Sequence, residues 1–191
     1  MLMSDVRGYS GIAEHVDPTV LAGMLNNHRI EMNAAILSQA GTVMQYVGDA
    51  VMAVFGAPFA QEDHADRALV AACAMHERQG ALNERWRGED LPEFGLGIGL
   101  STGEVAAALL GSEERIEYTL VGDTVNLAQR LQDLARPAGT TVLSAATLDA
   151  LQAAPAVEAM GEQRVKGREG AVLAYKFVAP AGAGASIEMG G

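Results

Sequence analysis

An α+β fold with a βαββαβ core is predicted by three features of this sequence. Short apolar runs bounded by Gly, Asp and Pro alternate with long helical patterns. The order of those segments is strand, helix, strand, strand, helix, strand. The third feature is the length of 191 residues, with 49% hydrophobic and 19% charged residues, which suits one soluble domain with a real core. This is the ferredoxin-like order, in which an antiparallel sheet is covered by helices, and the remaining chain reads as a C-terminal α/β extension.

The elements follow in order. Met1-Leu2-Met3-Ser4-Asp5 reads as the end of an apolar strand with a carboxylate at its exit, and Val6 to Gly11 as a glycine-punctuated turn. Asp17-Pro18 opens a helix as N-cap and first-turn proline. Leu21, Leu25, His28, Met32, Ala35 and Ile36 recur at helical spacing, and the helix is expected to end near Gln39 with Gly41 just past it. Val43 to Phe55 is a hairpin turning at Gly48-Asp49. A second helix is expected from about Glu62 to Trp86, its stripe made by Ala65, Leu69, Ala72, Met75 and Leu82. Phe94 to Leu100 is a strand whose glycines at alternate positions leave one face bare, a sign of close packing or of a nearby ligand.

The second half adds an apolar run from Val105 to Leu110, a strand from Glu117 to Val121, and a helix through Val125 to Leu131. A short strand at Thr140 to Leu143, a short helix after Ser144, and a strand pair at Gln163–Arg168 and Val172–Val178 complete the domain, expected at 1–178. The Ala/Gly-rich segment 179–191 has nothing to pack and is expected to be a disordered tail.

Composition excludes several functions. The net charge of −11, with 13 basic residues and a pI near 4.7, leaves no basic surface for nucleic acid. No window approaches the roughly 18 apolar residues of a membrane span, and no signal peptide is visible. Cys73, the lone cysteine, lies in an Ala-rich helical stretch and is expected to be a small core residue in a reducing compartment. The four histidines share no metal-ligand spacing.

The fold order itself predicts a site. If the third strand lies antiparallel between the first and second, the exit of the first adjoins the turn between the other two, and Asp5 meets Asp49. Neighbouring carboxylates need a cation or a shared proton to coexist. On turn chemistry alone Asp49 is equally a simple turn former, and the pair suits a divalent cation of the kind held by one or two carboxylates plus substrate phosphates. Asn126 and Arg130 lie one helical turn apart, hence on one face.

Asp5-Val6-Arg7-Gly8-Tyr9-Ser10, Val47-Gly48-Asp49 through Phe55-Gly56, Gly111-Ser112, Tyr118-Thr119 and Val121-Gly122-Asp123 through Arg130-Leu131 stand in one order and spacing. With Asp63-His64-Ala65 and Val165-Lys166-Gly167 they resemble the class III adenylyl/guanylyl cyclase catalytic domain, in the subclass with threonine at the adenine-reading position. The resemblance runs from about residue 1 to 178. It implies a cytoplasmic homodimer with two active sites between protomers, each converting ATP to 3′,5′-cyclic AMP and pyrophosphate. It also implies two Mg2+ or Mn2+ ions per site on Asp5 and Asp49. The amides of Val6, Arg7, Gly8, Tyr9 and Ser10 would cradle the triphosphate, and Lys166 would contact the phosphates. Asn126 would orient the ribose and Arg130 would stabilise charge at the α-phosphate, both from the partner protomer.

Gln45 and Thr119 stand at the two base-reading positions. Adenylyl cyclases of this kind usually carry lysine at the first, and the glutamate typical of guanylyl cyclases is absent there too. An amide can donate to adenine N1 or accept from guanine. ATP is therefore expected, with GTP as the alternative. The rival from another class is a cyclase-like module that binds nucleotide and regulates without turnover.

Overall fold

The computed structural model of the chain describes residues 1–112, 115–153, 155–164 and 170–178, with the backbone alone for 110–112 and 115–118. Lys166 and the segment 179–191 lie outside the described residues.

The first half runs β1 (Leu2–Arg7), α1 (Tyr9–Ala13), α2 (Pro18–Ser38), β2 (Thr42–Val47), β3 (Ala50–Val54), α3 (His64–Gly88) and β4 (Gly95–Leu100). The second continues with β5 (Ala106–Ser112), β6 (Arg115–Val121), α4 (Asp123–Leu134), β7 (Thr140–Ser144), α5 (Ala145–Asp149), β8 (Glu158–Gln163) and β9 (Val172–Val178). Seven strands form one sheet in the order β2-β3-β1-β4-β7-β9-β8. Its first four strands have the ferredoxin-like arrangement, with β3 antiparallel to both β1 and β2 and lying between them. β7 joins parallel to β4, and β9 and β8 follow antiparallel as the C-terminal extension. β5 and β6 leave this sheet and form their own antiparallel ribbon.

Local chemistry explains most boundaries. The Asp17 carboxylate caps α2 by accepting from the amides of Thr19 at 2.9 Å and Val20 at 3.2 Å, with Pro18 in the first turn. At the other end Ala40, not Gly41, takes the left-handed conformation, with φ of 53°. Gly41 is required for a different reason: a Cβ there would collide with the Phe55 ring and Ile36. Asp63 precedes α3 without capping it, because its carboxylate pairs with Arg67 at 2.7 Å.

Two expectations need correcting. The stretch after Asp5 is not all turn: β1 continues through Arg7, Gly8 reverses the chain at φ 73°, and Tyr9–Ala13 forms a helical turn. The strand pairing with β9 is Glu158–Gln163, upstream of the expected Gln163–Arg168. Its side chains are mostly exposed, so it carries no apolar alternation, and the run around Val165 falls on residues outside the description.

One face of the sheet packs on α2 and α3 through Leu2, Val6, Met32, Ile36, Leu69, Met75, Trp86, Phe94 and Ile98, all buried. Each such large side chain contributes about 1.5–3 kcal/mol. Cys73 is buried in this layer. The opposite face receives α4, and the bare strand face shows why glycine is needed: a Cβ on Gly99 would strike the α4 backbone at Ala128 and Gln132, and one on Gly97 the Arg7 guanidinium. Close packing, rather than a ligand, occupies that face.

Candidate active site

β1 alternates strictly, with Leu2, Ser4 and Val6 buried toward α2 and α3 and Met3, Asp5 and Arg7 half-buried on the α4 side. Beside it, the hairpin from β2 to β3 turns at Gly48 and Asp49, with Val47 opposite Ala50 and positive φ only at Gly48 (61°). Because β3 pairs directly with β1, the turn arrives at the β1 exit. Asp49 Oδ2 accepts the Val6 amide at 3.0 Å. The Asp5 and Asp49 carboxyl groups come within interaction range of each other, a hydrogen bond joining them only while one keeps its proton, so the predicted meeting of the two is observed.

The pair is electrostatically incomplete. Burial, then the hydrogen bond and charge of Asp49, push the Asp5 carboxyl up to about 7, against the opposing influence of Arg7 and Gln132. Among the described residues no cluster of three or more His, Cys, Asp and Glu side chains occurs. Two carboxylates without a third protein ligand fit a hard divalent cation that keeps phosphate and water oxygens in its shell, as Mg2+ does.

A bulge at Met44 places Gln45. Val43 opposes Ala53, yet Gln45 opposes Met52, so the extra residue shifts Gln45 from the α2 face to the α4 face and sends Tyr46, opposite Val51, the other way. There a cavity of about 360 Å³ is lined by Asp5, Gln45, Met52, Thr119, Gln129 and Gln132, among others. Asp5 and both base-reading candidates, Gln45 and Thr119, therefore border one space within a single chain.

Helix α4 shows this cavity one face and keeps another outward. Val125, Gln129, Gln132 and Asp133 line the cavity. Asn126 is exposed, and Arg130 is partly exposed with a long ion pair to Asp133 at 3.6 Å. Neither Asn126 nor Arg130 lines the cavity that holds Asp5.

The turn after β1 is only partly as expected. The Val6 amide is committed to Asp49, its side chain is in the core, and the Tyr9 ring stands edge-on to Phe94 at 6.0 Å. Gly8, Tyr9 and Ser10 open α1, whose first turn closes from the Ile12 amide to the Gly8 carbonyl at 3.2 Å; the amides of Tyr9 and Ser10 have no acceptor within the helix. Arg7 contributes more than an amide. Its guanidinium lies over Gly97, donates to the Gln132 carbonyl and is charge-coupled to Asp5 and Asp49.

Sequence reasoning missed Gln132. In one amide orientation it donates to Asp5 Oδ2 at 3.3 Å; turned over, it accepts from Arg7 at 2.8 and 3.1 Å and donates to Asp133 Oδ1 at 3.2 Å. Either way it ties α4 to the exit of β1. Its spacing from Gln129 on one helix face, opposite a glycine-bare strand, was the available signal.

The profile of the adenylate and guanylate cyclase catalytic domain matches residues 1–179. Adenylate cyclase 1 of Rhizobium meliloti (strain 1021) is 33% identical over 178 residues, 93% of this chain and 27% of that protein. The chain thus spans about a quarter of the curated relatives it matches. Its structure is similar to the adenylyl cyclase CyaB from P. aeruginosa, with a TM-score of 0.88 and 30% identity over 94% of this chain and 92% of that one. It is also similar to the guanylyl cyclase Cya2, with a TM-score of 0.83 and 32% identity over 92% and 88% of the two chains.

Proposed function

The chain belongs to the adenylate and guanylate cyclase catalytic-domain family, and from that premise we propose that it converts ATP to 3′,5′-cyclic AMP and pyrophosphate in a cytoplasmic homodimer with shared active sites. One observation carries this reading. Asp5 and Asp49 meet inside one chain, whereas Asn126 and Arg130 do not line the cavity that holds Asp5, which leaves them available to a partner's site.

In this reading residues 1–178 form the catalytic domain, with 179–191 outside it. Asp5 and Asp49 would hold two Mg2+ or Mn2+ ions, which when bound would supply charge neutralisation at the triphosphate and acidify the ribose 3′-hydroxyl. The partner's Asn126 orients the ribose so that its 3′ oxygen lies in line with the α-phosphorus. As that oxygen bonds to phosphorus and the bond to the pyrophosphate oxygen breaks, the partner's Arg130 stabilises the charge on the phosphoryl oxygens. The Gly8, Tyr9 and Ser10 amides, the Arg7 segment and Lys166 hold the phosphates. The Val6 amide instead orients Asp49.

Gln45 and Thr119 read the base across the bulged hairpin, Thr119 in the manner of the threonine subclass. GTP is the second reading. It is favoured by the amide at Gln45, which presents both donor and acceptor, and by the similarity to Cya2. Purified protein incubated with ATP and Mn2+ is expected to yield cyclic AMP. A dimer that makes none at high concentration points to the regulatory module instead, and faster turnover of GTP than of ATP reverses the base preference.

A further inference from the structure

We propose that Arg29 of α2 is a positioning residue that clamps the Gly48–Asp49 turn and so sets the geometry of the carboxylate pair; this rests on the reading of Asp5 and Asp49 as metal ligands. β2 is the edge strand of the large sheet, and Tyr46, Val47 and Gly48 at its tip are exposed. A hairpin tip of this kind opens easily on its own. Yet Asp49 must stay in register with Val6 and Asp5, because a metal site tolerates little variation in the spacing of its ligands.

Arg29 supplies the restraint from the opposite side of the sheet. Its Nη2 donates to the Gly48 carbonyl at 2.5 Å. That oxygen belongs to the peptide whose nitrogen is Asp49's own, so the bond holds the plane from which the carboxylate projects. The guanidinium carbon also lies 4.9 Å from the centroid of the Tyr46 ring. Nε is buried, with no partner among the described residues, so the fork is pressed onto the hairpin and not extended into water. The Met44 bulge makes this possible. By returning Tyr46 to the α2 face while sending Gln45 to the cavity, it gives the hairpin one residue for the clamp and one for the base.

The base of the clamp is rigid. The preceding residue, His28, is fully buried and its Nδ1 is 2.7 Å from Gln79 Oε1 on α3; Met32, one turn on, is also fully buried. α2 is therefore fixed to the core immediately beneath Arg29. The clamp ties the metal-bearing turn to the α2–α3 layer, whereas Gln132 ties the exit of β1 to α4.

The test compares Arg29→Met, Arg29→Lys and Tyr46→Leu with the unaltered chain, reading Mn2+ binding from the electron paramagnetic resonance signal of the free ion, together with the Mn2+ dependence of turnover. Arg29→Met is expected to weaken Mn2+ binding, and to raise the half-saturating Mn2+ concentration, by about tenfold, the scale of a lost metal-orienting contact. Turnover at saturating Mn2+ should stay within about threefold and the metal-free melting temperature within about 3 °C, since Arg29 is only half-buried. Arg29→Lys, which keeps a donor and a charge, should recover most of the binding, and Tyr46→Leu should show a smaller loss. Asp49→Asn is the reference. If it abolishes Mn2+ binding while Arg29→Met leaves binding unchanged, or lowers turnover and melting temperature without moving the Mn2+ dependence, the clamp is overturned alone. Mn2+ binding that survives Asp49→Asn overturns the metal-ligand reading, and the clamp with it.

Discussion

In the proposed reaction Asp5 with Asp49, and Asn126 with Arg130, are two halves of one chemistry built in opposite ways. The carboxylate half closes within the chain: strand pairing brings its members into contact, a backbone amide orients one, and Gln132 reaches the other in one of its amide orientations. The α4 half does not line the cavity that holds Asp5: Asn126 is exposed, and Arg130 makes a long ion pair to Asp133 at 3.6 Å. The first half has excess negative charge that a cation or a retained proton relieves; the second presents a cation and an amide outside that cavity. Two-fold symmetry would supply each half to the other chain, the arrangement that a self-complementary dimer provides twice.

The sharpest way to break this comparison is to damage one half on each chain. Asp49→Ala and Asn126→Ala are each expected to lower cyclic AMP formation by about a thousandfold or more, since each removes a group acting at the reacting phosphate or ribose. Mixed in equal amounts and allowed to exchange, they should recover roughly a quarter of wild-type activity, because half the dimers would carry one intact site of two. Proven heterodimers that remain silent would show that the halves do not combine across chains.

Within the outward half, Arg130→Ala is expected to cost on the order of a hundredfold in kcat with little change in KM, the pattern of a contact made in the transition state. A comparable rise in KM with kcat intact would make Arg130 a ground-state binder. A smaller effect, about tenfold, is expected at the base. Gln45→Lys should raise the ATP:GTP ratio of kcat/KM and Gln45→Glu should lower it, because lysine only donates and an ionised glutamate only accepts. Ratios that do not move would take Gln45 out of base reading, despite its place beside Thr119 on the cavity wall.

The inner half was legible in the sequence because it depends on topology. Once the βαββαβ order is recognised, the meeting of Asp5 and Asp49 follows from which strand lies between which. The pairing of Asn126 with Arg130 on α4 was legible too, as the two lie one helical turn apart, whereas the reach of Gln132 to the exit of β1 was not. The bulge at Met44 was not, since Val43-Met44-Gln45-Tyr46 contains no glycine and reads as even alternation, although one slipped residue reverses every side chain beyond it. The Arg7 guanidinium was equally hidden. Its place is set by the glycine-bare surface of β4 and the docking of α4, which are contacts distant in sequence.

The smallest effect tests the inner half without any partner. In the metal-free chain the Asp5 carboxyl is held up to about 7 by burial and by Asp49, while in the unfolded chain it ionises near 3.8. Between those values the folded state retains a proton that the unfolded state has lost, so this contribution to stability is fully present below about 3.8 and is lost as pH rises through about 7. The metal-free melting temperature is therefore expected to fall from pH 5 to pH 8, by on the order of 5 °C once solvent screening of this half-buried group is allowed for. Asp5→Asn, which cannot ionise, should flatten that fall, and saturating Mn2+ should oppose it in the unaltered chain by favouring the ionised pair. Arg130→Ala should leave the slope as it is, because the outward half takes no part in the strain. An equal slope in Asp5→Asn would show that the carboxylate pair is relaxed without metal, and the two halves would then differ in direction but not in electrostatic strain.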